Sequence, residues 1–358
     1  MVAGQANLSP LAAQSFLSIS RDGGQSWVEN PGATAGIWIG ADVSGDGTRI
    51  AAVQFQGGGL FMSVDNGTTF TPVALPATVS TAPPGPSFES VTLTQDGSRV
   101  VAAIRNGPVI VGDVGATGAV TWLTPTGLPT SAGWRSVDSS ASGDVIVAVA
   151  EDPVVFVSRD GGLNWNPLAV IVGADPILDQ NWYRVKVSAD GLTIAMAGNL
   201  FGGNEGNGIY VSKDSGITFE RAIDLVGDYT AIAMSADGGV IGATLSNPSG
   251  TGTGQVLLST NGGTSFAPLP VNVGGTPAAD TDWRAITMNA DATRMAVAAG
   301  RFLTNGTGQI YLSTGTAPPP PTTTTPTSST PTTTTTTLIT PTSSTPSGTS
   351  TTSTLAQQ

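Results

Sequence analysis

Short apolar runs punctuate the chain between residues 50 and 313, and they come in two kinds. One kind is small and aliphatic: IAAV at 50–53, VVAAI at 100–104, VIVAVA at 145–150, TIAMAG at 193–198, VIGATL at 240–245 and MAVAAG at 295–300. The other ends in serine or glycine: LFMS at 60–63, VIVG at 109–112, VVFVS at 154–158, IYVS at 209–212, VLLS at 256–259 and IYLS at 310–313. All are short, rich in β-branched residues and bounded by Gly, Asp, Asn or Ser, and none extends into the 3.6-residue stripe of a helix. The pattern predicts an all-β chain.

The polar stretches between the runs repeat too. Ser-x-Asp-x-Gly-x-(Thr/Ser/Asn)-(Trp/Phe) stands at Ser20–Trp27, Ser63–Phe70, Ser158–Trp165 and Ser212–Phe219. Ser259–Phe266 carries Asn261 in the Asp place, a worn copy ends at Trp122, and a truncated one starts at Ser313. A second turn keeps step: SGDGTR at 44–49, TQDGSR at 94–99, SADGLT at 188–193, SADGGV at 235–240, NADATR at 289–294, and a weaker form at 140–144. Six residues before each of these stands an aromatic, namely Trp38, Phe88, Trp134, Trp182, Tyr229 and Trp283. Asp accepts backbone N–H bonds within its own turn, and Gly supplies a positive φ. The ring closing the first motif is expected between neighbouring sheets.

One unit thus reads strand A from its aromatic to the Asp-Gly turn, strand B, a loop of variable length, strand C, the eight-residue turn, and strand D. Adjacent copies start 43 (Ser20 to Ser63) to 54 (Ser158 to Ser212) residues apart, which suits four-stranded propeller blades. The markers give six A, six B, seven C and six D strands, because Phe16–Ser20 precedes the first full unit. That count fits six four-stranded blades plus one strand, with the strand around Trp27 completing the blade begun at Trp283. Seven blades with a ragged seam are the alternative.

Composition narrows the chemistry. The 358 residues hold no histidine and no cysteine, which removes disulfides, thiolate and histidine catalysts, and Cys/His zinc sites. A formal net charge of -12 argues against nucleic acid and anionic lipid as partners. No apolar stretch is long enough to span a membrane.

The eight-residue motifs resemble the Asp-box, or BNR, repeats of sialidase-like propellers over roughly residues 16–315. Similar families include sialidases, xyloglucan-acting glycoside hydrolases, sortilin-type receptors and photosystem II assembly factors. The resemblance implies that the box is a scaffold feature on the blade periphery. Asp22, Asp65, Asp160, Asp214 and Asn261 are then structural. Sialidases use three arginines, a Tyr–Glu pair and an Asp acid, whereas none of Glu29, Glu89, Glu151, Glu205 and Glu220 has a tyrosine beside it. Arg135 and Arg284 each follow a strand-A aromatic and are expected on the same strand face of two blades, with Arg184 at the opposite parity. A xyloglucanase-like enzyme needs two carboxylates across a cleft, but that family commonly sets two propellers face to face. The basic surface of the assembly factors has no counterpart in this acidic chain.

Both Asp-Gly turns must lie on one face. The B–C and D–A loops lie on the other and vary in length, which marks that face for binding. It holds Asp175, Asp179, Glu205, Asp228, Asp280 and Asp282, together with Glu151 and Asp152. Asp175, Asp179, Asp280 and Asp282 are the candidate catalytic acids and the candidate Ca²⁺ ligands. Glu205, Asp228, Arg135 and Arg284 are candidate ligand-binding residues, and no other cofactor is expected. The plain alternative is that acidic loops only solvate the domain. The expected function is a non-catalytic module for carbohydrate or protein, with a glycoside hydrolase or a photosystem II assembly factor as alternatives.

Residues 1–15 read as an extension lacking the basic start and apolar core of a secretory signal. Residues 16–315 form the propeller, and 316–358 a Thr/Pro/Ser-rich tail that buries too little area to fold. Tails of this composition accompany secreted and wall-associated proteins, so an extracellular or cell-wall location is expected.

Overall fold

The structure, a computed structural model, describes residues 2–4, 17–30, 36–151, 154–172, 175–176, 181–198, 208–223, 225, 227–246, 254–273, 276–277, 282–299 and 309–313. The chain divides into two units, Met1–Pro321 and Thr322–Gln358. The expectation for the tail lies outside the described residues.

Among the described residues every regular element is a β-strand, as the run pattern predicts. The first sheet comprises Val2–Gly4, Leu17–Ile19 and Val28–Asn30. Five four-stranded meanders follow, with A strands Ile37–Val43, Ser87–Leu93, Ala132–Ser139, Trp182–Val187 and Asp228–Met234, the second and third joined into one eight-stranded sheet where Ala132–Gly133 pairs with Arg105–Gly107. Their D strands are Thr71–Pro72, Val120–Trp122, Trp165–Pro167, Glu220–Ile223 and Ala267–Pro268. The last sheet has Trp283–Met288, Met295–Ala299 and Gln309–Leu312. Strands A of successive sheets lie against one another, so the sheets stand radially with A innermost and D outermost. This is a β-propeller.

The closure differs from the six-blade expectation. Val28–Asn30 pairs with Leu17–Ile19, which pairs in turn with Val2–Gly4, so the N-terminal strands make a sheet of their own. A Val-Ala-Gly triplet is too short to register as a strand pattern. The first and last sheets meet through their turns. A Cβ added at Gly23 would lie 2.5 Å from the Arg294 guanidinium. Arg99 stands in the same relation to Gly161 one sheet further on, donating to its carbonyl at 2.7 Å.

The six strand-A aromatics occupy one place in six sheets, each at most 4% exposed. A β-bulge follows every one, with register shifts after Trp38, Phe88, Trp134, Trp182, Tyr229 and Trp283. Four meet a ring of strand C edge to face: Trp38 on Phe61, Trp134 on Phe156, Trp182 on Tyr210 and Trp283 on Tyr311. The rings closing the eight-residue turns go between sheets, as expected. Trp165 joins Val109 and Val111 of the preceding strand C, and Phe219 joins Val155 and Val157. Each buried ring stabilises the stack by roughly 1.5–3 kcal/mol.

The motif aspartates act within their turns. In the copy at residues 63–70, Asp65 accepts from the Ser63 hydroxyl (2.7 Å), the Thr69 N–H (2.9 Å) and the Thr69 hydroxyl (2.7 Å). Ser63 in turn accepts from the Gly67 N–H at 2.9 Å. Asp22, Asp160 and Asp214 repeat this geometry. Asn261 keeps the acceptor bonds through Oδ1, while its Nδ2 donates to the Ser265 hydroxyl at 2.9 Å. Partial burial pushes the Asp65 carboxyl up, but the bonds from Thr69, Ser63 and Thr68 outweigh it and hold the pKa at about 2. Two consecutive positive φ angles, 58° at Asn66 and 75° at Gly67, let the loop close around the carboxylate.

The A–B turns join sheet to sheet. Gly45 donates its N–H to Gln95 O, Gln95 to Ala141, Ala141 to Ala189, Ala189 to Ala236, and Ala236 to Ala290, all at 2.7–3.0 Å. One backbone hydrogen bond thus links each turn to the next around the axis.

Candidate functional site

The two turns of each sheet are hydrogen-bonded together, Asn66 N–H to Thr48 O (3.0 Å) and Ser215 N–H to Leu192 O (2.8 Å), which places them on one face. Strands A begin at the opposite face. There the bulge sets the residue after each aromatic at the inner rim, a bulge being a device that re-aims one side chain. Six sheets contribute Ile39, Glu89, Arg135, Tyr183, Thr230 and Arg284 at this position. The aromatic before it and the turn after it repeat, whereas this residue changes between neighbouring sheets and takes five identities in the six, Arg recurring at 135 and 284.

Four neighbouring sheets build a polar cluster on that rim. Arg135 donates to the buried Glu89 at 3.1 Å and to Glu151, and Arg105 bonds Glu151 at 3.0 Å. Tyr183 lies between two guanidinium groups, Arg184 at 4.0 Å and Arg135 at 5.4 Å from its ring centroid. Arg184 is held by the carbonyls of Thr230 (2.9 Å) and Tyr183 (3.0 Å). Burial pushes the Glu89 carboxyl above its ordinary pKa, with Arg135, Arg184 and Arg105 pulling the other way. Burial likewise lowers Arg135. Among the described residues the Arg135 Nε and the Trp134 indole N–H are buried without a hydrogen-bond partner. The arrangement presents planar, stacked cations and an aromatic face around a buried ion pair, which suits recognition of polar ligands.

Deeper along the axis the polar groups serve the joints between sheets. Asp42 accepts the Leu93 N–H of the next strand A at 2.8 Å, and Asp138 accepts the Val187 N–H at 2.7 Å. Lys186 bonds Asp138 at 2.8 Å. Burial acts to discharge this ammonium, but Asp138 and Asp42 outweigh it and raise its pKa.

The sequence candidates fare unequally. Arg135 and Arg284 do occupy equivalent rim positions; Arg135 is in the cluster and Arg284 bonds Asp282 at 2.8 Å. Arg184 was expected on the opposite side, yet the bulge interrupts the alternation and the side chain stacks on Tyr183. Asp228 is buried at the start of its strand A. Asp175 lies in a two-residue strand paired with Ile171–Val172. Asp179, Asp280 and Glu205 lie outside the described residues. Among the described residues no group of three acidic side chains is placed to hold a metal ion. Arg105 and Tyr183 were missed, and the only available signal was their offset from a strand end or an aromatic.

No protein-family model and no curated protein matches the sequence. Solved structures do. The β-propeller domain of Cps50 (Swd1) from Myceliophteria thermophila aligns over 87% of this chain and 92% of its own, with a TM-score of 0.59 and 12% identity. YCF48 bound to a D1 peptide aligns over 84% of each chain (TM-score 0.54, 14% identity), and the Dos1 propeller over 74% and 67% (TM-score 0.52, 10% identity). At these identities the likeness is one of fold, and it defines the class as β-propeller.

Proposed function

We propose that this protein is a non-catalytic binding propeller of the Asp-box type, engaging a glycan or protein ligand at the inner rim opposite the Asp-Gly turns. One observation carries the reading. In a repeat whose aromatics and turns recur, the bulge residue keeps its geometry and changes its chemistry from sheet to sheet. Selection for a scaffold alone has no use for that divergence, whereas a ligand does. The D1 peptide carried by the fold neighbour YCF48 supports a peptide as one ligand type.

Glycan and peptide arrays with the wild-type chain and with Tyr183→Ala and Arg284→Ala test it. Specific binding weakened about tenfold or more by either change is expected. Retention of full binding by both variants removes the rim from the interaction. A glycoside hydrolase is the second reading, favoured by two carboxylates, Glu89 and Glu151, gathered on one arginine. Turnover of chromogenic glycosides that Glu151→Gln abolishes would establish it instead.

Calcium at Asp175, Asp179, Asp280 and Asp282 is carried forward as a proposal, and it predicts a lower Tm in chelator than in millimolar Ca²⁺. An extracellular or wall-associated location is proposed from the tail composition. Recovery of the protein in the cytosolic fraction of its own cells would remove it.

A further inference from the structure

Three large aliphatic side chains stand in solvent on the face of the Asp-Gly turns, at places where other copies carry small or polar residues. Leu163 is 45% exposed, Leu192 50% and Ile217 70%. Leu163 and Ile217 hold the sixth place of the eight-residue turn, which Gln25, Thr68 and Thr264 occupy elsewhere. Leu192 holds the fifth place of the A–B turn, taken by Thr48, Ser98, Asp144, Gly239 and Thr293 in the other copies.

The hydroxyl residues at these places serve the turn. Thr68 and Thr264 donate to the backbone carbonyls of Asp65 (2.8 Å) and Asn261 (3.0 Å). Thr48, Ser98 and Thr293 donate to the carboxylates of Asp46, Asp96 and Asp291 at 2.8, 2.8 and 2.7 Å. Leucine and isoleucine have no donor for these bonds, and at such exposure they bury little apolar area in return. A scaffold gains nothing from the exchange, whereas an interaction surface does.

The three residues belong to one sector. Leu192 and Ile217 sit on the two turns of the sheet led by Trp182–Val187, which are joined by Ser215 N–H to Leu192 O at 2.8 Å. Leu163 sits on the eight-residue turn of the preceding sheet, from which Arg159 donates to Ser215 O at 2.6 Å. The charge around them is mainly negative, with Asp144, Asp160, Asp190 and Asp214 against Arg159 and Lys213. Arg99 also reaches this sector, at Gly161 O, but Asp113 matches it at 2.8 Å.

We infer that Leu163, Leu192 and Ile217 form a docking surface for a basic amphipathic segment of a partner protein. Its apolar side covers the three side chains while its cations meet the flanking aspartates. The sign of the charge selects this occupant. A second copy would bring two such acidic faces together, and anionic lipid would be repelled. Three side chains also cover far less than the roughly 1,200 Å² of a stable globular interface, which suits a short segment. The surface lies on the face opposite the inner rim and does not rest on the rim's role.

Titration of the full chain with a fluorescent amphipathic peptide of Leu and Lys alone, beside the same peptide with Glu for Lys, tests the inference. Saturable binding of the Lys peptide only is expected, weakening as salt rises from about 0.05 to about 0.5 M. Leu163→Gln, Leu192→Ser and Ile217→Thr together, residues that other copies carry at these places, should weaken it about tenfold or more. A cooperative melting curve controls for folding, and should the triple variant not fold, Ile217→Thr alone decides. No saturable binding, equal binding of the Glu peptide, or binding indifferent to salt or to the substitutions overturns the inference. So does self-association of the chain that the substitutions abolish, because the surface would then serve a second copy.

Discussion

Gly162 and Gly47 both sit at positive φ, 86° and 76°, yet replacing them with alanine should have very different consequences. The left-handed backbone penalises any Cβ by about 1–2 kcal/mol, and this part is common to both. At Gly47 an added Cβ meets nothing within 4 Å. At Gly162 it would lie 2.9 Å from Val111 Cγ1, 3.1 Å from Val111 Cγ2 and 3.3 Å from Ile146 Cδ1. Both contacting residues are buried between sheets and have little room to withdraw, so overpacking adds about 1–3 kcal/mol. Gly47→Ala should therefore cost about 1 kcal/mol and Gly162→Ala about 3 kcal/mol in urea-induced unfolding at pH 7. Val111→Ala removes the opposing methyls, so combining it with Gly162→Ala should cost less than the two single losses together. Equal costs at the two glycines, or strict additivity of the pair, would refute the view that this turn docks directly on the strand of the preceding sheet.

Other outcomes follow from the polar groups. Asn261→Asp should stabilise the chain by about 1 kcal/mol at neutral pH, since a carboxylate replaces a neutral acceptor of two hydrogen bonds. Its folded pKa should be depressed like that of Asp65, about 2, so the gain is present above pH 4 and lost as the pH falls through 2. Melting curves across that range check the sign. Arg135→Met removes the hydrogen-bonded counter-charge of the Glu89 side chain, 2% exposed, and should cost about 3–5 kcal/mol. Adding Glu89→Gln should recover most of that loss in equilibrium unfolding, whereas no recovery would mean that Arg135 acts mainly through Glu151.

Much of this fold was legible in the chain. The aromatics, the small strand B and both turns are local signals tied to fixed offsets, and they mark equivalent places in the sheets. Placing the two turns on one face needed only strand alternation. Four features escaped. Val2–Gly4 is too short to carry a period, so the strands at Phe16–Ser20 and around Trp27 read as an odd strand and a closure of the last sheet rather than as a sheet of their own. The edge-to-face partners of the tryptophans, such as Phe156 and Tyr210, lie across a sheet and answer to register. The bulge after each aromatic hides from a period-two reading, which is why Arg184 was assigned the wrong side and Tyr183 was not noticed. The cluster around Arg135 joins residues from separate sheets, including Arg105 near the end of a strand B, and no spacing along the chain encodes it.

The relay of single hydrogen bonds between A–B turns has a kinetic corollary. It runs unbroken from Gly45 to Ala290 through five links, and among the described residues the first sheet contributes no strand A to extend it. Opening should therefore start where the last sheet meets the first and spread inward from both ends like a belt unbuckled at its clasp. Amide protons of Ile146–Ala150, farthest from that junction and fully shielded, should exchange with deuterium last, and those of Leu17–Ile19 and Met295–Ala299 much sooner.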